Sequence, residues 1–203
     1  RLEQAIPSLA LEPEDLKEIR LGDTVLLKAV QVQGAVEKFE RFGVGPRFCA
    51  LVKDELHERL SRRLSQMSKD DEIQEEMLGL DVDEQVQIFG ETISPDDEKE
   101  TADLTQKYLE HRYAEAHDLI DALAWIRFDR IGMRLLSQQA LSATEWLYLK
   151  LLITGAGDKN ARYVMIDEVQ DYTESQLMVL ARHFSRAHFL LLGDENQAIM
   201  EGT

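Results

Sequence analysis

Two short apolar runs near the end of the 203-residue sequence constrain its fold more than any other feature. Tyr163-Val-Met-Ile166 is followed at once by Asp167, and His188-Phe-Leu-Leu-Leu192 is followed by Gly193 and Asp194. Four or five large or β-branched residues that end in polar residues are typical of buried strands. We therefore predict one strand in each run.

The segment between the two runs predicts a helix. Thr173-Glu-Ser-Gln176 is a capping-box pattern, and apolar residues follow it at helical spacing: Leu177, Leu180, Ala181 and Phe184. Strand, helix and strand in this order form a βαβ unit, whose two strands run parallel. Ligands collect at the carboxyl ends of parallel strands, which is where we expect Asp167, Glu168 and Asp194.

An Asp-Glu pair at the end of an apolar strand suits nucleotide hydrolysis. Mg²⁺ prefers hard oxygen ligands and keeps several of its waters, so one carboxylate can hold it. The second carboxylate can orient and deprotonate the water that attacks a phosphate. On residue types alone, an acidic pair at a strand end is more often a turn or a helix cap, so the pair by itself leaves both interpretations open.

The sequence before this unit predicts mainly helices. We expect them over 13–20 and 25–43, after a turn at Gly43–Pro46, over 97–128 as one long or two abutting helices, and after the capping-box pattern at 142–145. The helix after the turn is lined by Leu56, Leu60, Leu64 and Met67. A short strand is expected at Val86, Ile88 and Phe89. The domain prediction is a mainly helical region over 1–140 and a region over 141–203 that contains the βαβ unit.

Negative charge is concentrated in one part of the sequence. The formal net charge is −16, and residues 69–121 contain 18 acidic against 4 basic residues. Such a stretch repels phosphate backbones and favours basic partners. It is either a solvated helical face or mobile loop, or an acidic arm that enters a basic channel made for nucleic acid.

The complete pattern around the two strands resembles a known family. Val164-Met-Ile-Asp-Glu-Val-Gln-Asp171 and Leu191-Leu-Gly-Asp-Glu-Asn-Gln-Ala-Ile199 resemble motifs II and III of superfamily 1 helicases of the UvrD and Rep type. The resemblance implies an α/β fold: part of a RecA-like P-loop NTPase domain with a parallel sheet. It also implies a large, mainly helical inserted subdomain, 1B-like, over residues 1–140.

The same resemblance implies roles for individual residues and the cofactors ATP and Mg²⁺. Asp167 would be the magnesium carboxylate and Glu168 the catalytic base, while Gln197 would sense the terminal phosphate. Three further residues would bind nucleotide and couple it to the rest of the motor: Gln170, Asp171 and Asp194.

Two features depart from the family pattern. No Gly-x-x-x-x-Gly-Lys-Ser/Thr phosphate loop occurs in the sequence, so we expect no ATP hydrolysis by this chain alone. Motif III continues as Met200-Glu-Gly202, without the aromatic and arginine residues that handle single-stranded DNA in translocating relatives. Because the sequence begins with Arg1 and has no signal segment, we expect it to be a piece of a longer protein.

The amino-acid sequence of residues 167–172 and 193–199 is most similar to that of the HelD branch, the helicase-IV-like proteins. That similarity implies RNA polymerase as the partner, with the acidic arm reaching into its channels, and ATP-driven remodelling of the polymerase. The alternatives are a conventional DNA-unwinding helicase and a protein-interaction module with a decayed motor. With one cysteine, Cys49, and no apolar run long enough to cross a membrane, we expect a cytoplasmic protein.

Overall fold

The computed structural model describes residues 2–193 as a mainly helical chain with two small sheets. The α-helices are α1 (Leu2–Ala5), α2 (Ala29–Phe39), α3 (Pro46–Met67), α4 (Asp71–Leu78), α5 (Val82–Phe89), α6 (Glu98–Arg112), α7 (Ala114–Asp121), α8 (Phe128–Leu136), α9 (Ala143–Thr154) and α10 (Glu174–His183). The strands are β1 (Ile19–Leu21), β2 (Thr24–Leu27), β3 (Tyr163–Ile166) and β4 (His188–Leu191). Within the described residues, no helix combines the length and apolarity needed to cross a membrane.

The chain divides into two compact units. Within the described residues, the first comprises 2–15, 40–49 and 127–193, and we call it the terminal unit. The second comprises 16–39 and 50–126, and we call it the helical unit. These two units are defined by contacts between backbone positions. The boundary at residue 140 separates an inserted subdomain from the rest of a RecA-like domain, which is a different kind of division, and it stays a prediction.

The predicted βαβ unit is confirmed in the terminal unit. β3 and β4 run parallel, with Tyr163 opposite His188 and Ile166 opposite Leu191. α10 lies between them in the sequence and begins at Thr173, whose hydroxyl accepts a hydrogen bond from the Gln176 amide. The capping box therefore sets the start of this helix, as the sequence predicts.

One face of this small sheet is exposed although it is apolar. The side chains of Tyr163, Met165 and Leu190 alternate along the two strands and are 80%, 67% and 50% exposed, respectively. Ile166 points to the opposite face and is buried. Leu191, which pairs with Ile166 on that face, is 50% exposed, so the second face is only partly packed. Parallel sheets are normally covered on both faces, so β3 and β4 have the composition of inner strands without the full cover of inner strands.

The helical unit is built around α3. Leu56, Leu60 and Leu64 recur every four residues and are fully buried on one face of the helix, as the sequence predicts. The helix begins at Pro46, at the end of the predicted turn, and proline is favoured in the first helical turn. Trp125 is also fully buried in this unit.

The helix predicted over 13–20 is wrong. Only Pro13–Asp15 forms a short 3-10 turn, and Ile19–Leu21 is strand β1. β1 pairs antiparallel with β2, and Gly22 at a φ of 54° supplies the turn between them. The pairing buries Ile19 against its partner Leu27, and this long-range contact outweighs the local helical signals.

The helix predicted over 25–43 begins later and ends earlier than expected. Val25 lies in β2 and pairs with Arg20, and helix α2 spans Ala29–Phe39. Apolar residues at steps of four and three continue from the strand into the helix. The periodicity therefore does not reveal the boundary between β2 and α2.

The short strand predicted at Val86, Ile88 and Phe89 is also wrong, because these residues form the last turns of α5. Asp81 and Glu84 make a complete capping box at its start, with each side chain bonded to the other residue's amide. This acidic start signal is present in the sequence and outweighs the β propensity of three apolar residues.

The long prediction over 97–128 is confirmed in its alternative form of abutting helices. α6 and α7 meet at Tyr113, whose φ of −108° and ψ of 23° interrupt the helix. Beyond α7, Ile126 forms an isolated antiparallel bridge with Leu16, so the last part of the predicted segment is not helical.

The acidic stretch 69–121 folds into helices α4 to α7, which matches the interpretation as a solvated helical face. One ion pair joins α4 to α6: the Arg112 guanidinium donates to Glu76 at 2.6 Å, and the Tyr108 hydroxyl donates to the same carboxylate at 3.0 Å. The hydrogen bond from Arg112 lowers the pKa of Glu76, and that from Tyr108 adds to the effect.

We expect acid to weaken the attachment of α4 through Glu76. Because its folded-state pKa lies below the ordinary 4.5, its ion pair stabilises the fold above that pH. The contribution, at most about 1 kcal/mol for an exposed pair, is lost as the pH falls through the folded pKa. Urea unfolding at several pH values should show Glu76→Gln less acid-sensitive than wild type. Glu75→Gln, an exposed neighbour on α4, is the control, and an equal change in both variants would contradict the expectation.

Candidate functional site

Backbone hydrogen bonds join the carboxyl ends of β3 and β4 beyond the last paired residues. The Leu192 amide donates to the Ile166 carbonyl at 2.8 Å. The Val169 amide then donates to the Leu192 carbonyl at 2.9 Å. Because the second bond reaches past Asp167 and Glu168, the two acidic residues lie on a turn fixed at both ends to the sheet.

Glu168 has an unusual backbone conformation for this turn. Its φ of 51° and ψ of 47° are left-handed, and only two other non-glycine residues in the described part of the chain, Leu123 and Ser137, have a positive φ. A 3-10 turn over Val169–Asp171 follows directly, so the chain reverses within a few residues of the strand. Such conformations cost about 1–3 kcal/mol and are frequent at functional sites.

Both carboxylates of the acidic pair are exposed, and each is held by a hydrogen bond. Asp167 accepts from the Glu168 amide at 2.9 Å. Glu168 accepts from the Gln170 side-chain amide. The pair therefore faces solvent at the carboxyl edge of the sheet, and Gln170 orients the Glu168 carboxylate.

The remaining predicted site residues have different positions. Asp171 is exposed at the end of the 3-10 turn, where its amide donates to the Glu168 carbonyl at 2.9 Å. Asp194 and Gln197 lie outside the described residues. The structure thus brings together Asp167, Glu168, Gln170 and Asp171 on one turn, and their roles stay predictions.

Gly193 is a site residue that sequence reasoning missed. A methyl group at its Cα would lie 2.4 Å from the Gln170 side-chain oxygen and 2.8 Å from Cγ1 of Val169. It would also lie 3.2 Å from the Val169 amide nitrogen. The chain after β4 therefore touches the turn after β3, and only glycine allows this approach. A glycine directly after an apolar strand was the available signal.

The donor set at this edge fits magnesium. Asp167 supplies hard carboxylate oxygens, and Mg²⁺ usually binds one or two protein carboxylates while keeping water and phosphate ligands. Within residues 2–193, no cluster of three or more histidine, cysteine or acidic side chains could hold a metal by itself. A shared site of protein, water and nucleotide ligands is consistent with both observations.

Two histidines meet in the helical unit. Nδ1 of His57 on α3 lies 2.7 Å from Nδ1 of His117 on α7, and the rings are stacked. Nε2 of His57 also lies 3.3 Å from Asp121. Helix spacing could not reveal this pair because the two residues are 60 positions apart.

Trp146 in α9 is only partly buried. It is 36% exposed, packs edge-on against Phe128 at 6.0 Å, and lies under the Lys150 ammonium at 5.1 Å. α9 follows its prediction, with the Ser142–Glu145 capping box at its start and Gly155 at its end.

A match to a known protein family includes the acidic pair, the reversed turn and the two parallel strands. Residues 36–201 match the family model of the UvrD/REP helicase N-terminal domain. The chain belongs to this family. The match includes most of the helical unit and the whole βαβ unit, and no curated protein sequence matches the chain.

Membership of the UvrD/Rep family supports the coarse predictions made from the sequence. The match confirms the resemblance to UvrD and Rep helicases, and it implies a RecA-like fold for the domain that contains β3 and β4. Proteins of this family are helicases that use ATP and Mg²⁺ and act on DNA.

We expect Gly193→Ala to displace the turn over Glu168–Asp171. In the full-length protein, ATP turnover should fall about 10- to 100-fold, because a misplacement of about 1 Å at a reacting group can cost that much. Amide hydrogen exchange should be faster at Val169, whose hydrogen bond to Leu192 would be strained. Gly45→Ala is the control, since its added methyl group would meet no atom within 4 Å. Unchanged exchange at Val169 would contradict the argument.

Proposed function

We propose that the intact protein is an ATP-dependent motor of the UvrD type that acts on nucleic acid. In this proposal the chain supplies part of the first RecA-like domain. The observation that carries it is the acidic pair on a turn tied to two parallel strand ends, within a chain that matches the UvrD/Rep family.

We assign the chemical roles as follows. Asp167 would hold Mg²⁺ through its carboxylate, and Glu168 would be the base that takes a proton from the water that attacks the phosphate. The left-handed backbone at Glu168 and its hydrogen bond from Gln170 support this role, since a base must be held in line with the bond it helps to break. Gln197 senses the terminal phosphate, and three residues couple the nucleotide to the motor: Gln170, Asp171 and Asp194.

ATP and Mg²⁺ supply the transferable phosphate and its charge neutralisation when they are bound. The phosphate loop that would cradle them is absent from this sequence, and Gly155-Ala-Gly-Asp-Lys159 has the wrong spacing and follows a helix. We propose that this chain alone does not turn over ATP and that further segments of the protein complete the pocket.

The helical unit is proposed to belong to the subdomain inserted upstream of motif II. Its place in the sequence before β3, its α-helical content and its own core of α3 leucines support this. The apolar exposed face of β3 and β4 fits a larger parallel sheet, because strands of this composition are normally covered on both faces.

The finer proposal is that this motor belongs to the HelD branch and remodels RNA polymerase. Two observations support it: the amino-acid sequence of residues 167–172 and 193–199, and the acidic stretch 69–121. That stretch forms helices α4 to α7, so it can present its negative charge from an ordered scaffold to a basic channel.

We expect Glu168→Gln to abolish steady-state ATP hydrolysis by the full-length protein while leaving ATP binding intact. Loss of a positioned general base typically costs about 10²- to 10⁴-fold, and glutamine keeps the size and the hydrogen-bonding capacity of the side chain. Phosphate release measures turnover, and a fluorescent ATP analogue measures binding.

Glu174→Gln is the matched control for this variant. Glu174 is an exposed acid in the first turn of α10, six residues from Glu168, and should leave turnover nearly unchanged. Turnover by the Glu168→Gln variant comparable to wild type would refute the assignment of the base. If biological activity survived the loss of ATP turnover, the protein-interaction module with a decayed motor would be favoured instead.

The polymerase proposal has a separate test. We expect the full-length protein to co-purify with RNA polymerase from a bacterial extract, and charge reversal within α4 to α7 to weaken that association. The salt dependence of the association should fall with each acidic residue that is replaced. ATP-stimulated strand separation with no polymerase bound would instead identify a conventional DNA-unwinding helicase.

A further inference from the structure

An arginine-lined pocket lies on the surface of the helical unit, away from the acidic pair in the sequence. It is a concave site of about 240 Å³ between the start of α2 and the middle of α3. Its lining residues are Gln31, Glu55, Arg59, Arg62, Arg63 and Gln66. The volume is room for about eight water molecules and therefore for a phosphate group with part of its hydration shell.

A buried carboxylate forms the floor of this arginine pocket. Glu55 is only 6% exposed, and it accepts hydrogen bonds from the Lys38 ammonium and from Nε of Arg59, the latter at 2.7 Å. The hydrogen bond from Lys38 and that from Arg59 hold the pKa of Glu55 below its ordinary value despite burial. Glu55 is thus an ionised anchor that fixes the cations around it.

Arg59 is held rigidly by the fold. Besides Glu55, its guanidinium donates to the Gln31 carbonyl at 2.8 Å. It also lies so close to Gly34 that a methyl group there would be 3.3 Å from one guanidinium nitrogen. Arg59 therefore lines the pocket in one fixed orientation, which lowers the entropy lost when an anion binds.

The other two arginines have most of their donors available. Arg62 is 63% exposed; its Nε donates to the Glu58 carbonyl at 3.3 Å, and its guanidinium makes loose ion pairs at 3.7 Å to Glu55 and 3.8 Å to Glu58. Arg63 is exposed and makes no ion pair or hydrogen bond with any residue of the described range 2–193. A guanidinium presents several donors in a planar fork that matches phosphate oxygens.

The charge of the pocket contrasts with that of the chain. Its three arginines and one glutamate give a formal charge of +2, whereas the sequence carries −16. The three arginines fall within five residues of α3, immediately before the acidic stretch 69–121. A positive concavity in a negative protein concentrates anions locally while the surrounding field rejects them elsewhere.

We propose that this arginine pocket binds the phosphate backbone of a single nucleic-acid strand. The guanidinium groups of Arg62 and Arg63 contact the phosphate oxygens. Arg59, held by Glu55 and Gln31, adds a fixed positive charge to the pocket wall. Contacts of this kind carry no base specificity. The proposal rests on the nucleic-acid motor proposed above, and it places one strand contact on the helical unit.

The test is strand binding by the full-length protein without nucleotide, measured by fluorescence anisotropy of a labelled oligothymidylate over a range of salt. Each phosphate contact to a single strand contributes about 0.7 to the slope of log affinity against log salt. Arg62→Ala and Arg63→Ala should each reduce the slope by about that amount. At 0.1 M salt this corresponds to about fivefold weaker binding per arginine.

Arg20→Ala is the matched control for these variants. Arg20 lies on β1 of the same unit, is about half exposed and pairs with Glu18 at 3.4 Å, outside the pocket. It should leave the salt slope unchanged. Circular dichroism melts establish that each variant is folded, and Arg62→Lys with Arg63→Lys should restore much of the slope because the positive charge remains.

Three outcomes would overturn the proposal. One is a folded double variant, Arg62→Ala with Arg63→Ala, that has the wild-type slope and affinity. Another is an equal loss in Arg20→Ala. The third is calorimetric binding of inorganic phosphate that the double variant loses while strand binding is unaffected, which would make the pocket a site for a small anion only.

Failure of this proposal is distinguishable from failure of the proposed motor. Glu168→Gln should remove ATP turnover and keep the salt slope. The arginine double variant should lower the slope and keep turnover at saturating strand concentration. If the wild-type protein showed no ATP turnover while the arginine double variant still lowered the salt slope, the pocket would be supported and the motor refuted.

Discussion

The parallel pairing of β3 with β4 is the interaction on which the candidate site depends. Its hydrogen bonds continue past the strands, from Leu192 to Ile166 and from Val169 to Leu192. These two bonds fix both ends of the turn that carries Asp167 and Glu168, so the acidic pair is part of the sheet edge. Gly193 has no side chain, which allows the chain after β4 to approach the turn after β3.

The helical unit has an acidic surface and a separate basic pocket, and each suits a partner of opposite charge. Helices α4 to α7 hold an excess of carboxylates, most of them solvent exposed, whereas the short basic segment of α3 lines a pocket with three arginines and one buried glutamate. The first surface suits a basic partner and the second suits phosphate. Because these two preferences differ in sign, charge-reversal variants of each surface can examine them independently.

Sequence reasoning was most successful where several local signals agreed. The strands β3 and β4, the helix α10 between them and the leucine face of α3 were all predictable, because apolar pattern and capping residues pointed to the same elements. It failed at Ile19, which joins a strand through pairing with distant Leu27, and at Phe89, where the capping box at Asp81 outweighed local β propensity. The pairing of His57 with His117 and the contacts of α2 residues Gln31 and Lys38 with Arg59 and Glu55 also depend on contacts between separate elements.

The sequence by itself determined the family, the order of strand, helix and strand, and the acidic pair, since these are written in consecutive residues whose spacing carries the information. Only the tertiary structure decided the left-handed turn at Glu168, the close approach of Gly193 and the pocket around Glu55. Each of the last two brings together residues from different elements. Their distances are set by packing and hydrogen bonding between those elements, which no local pattern in the chain encodes.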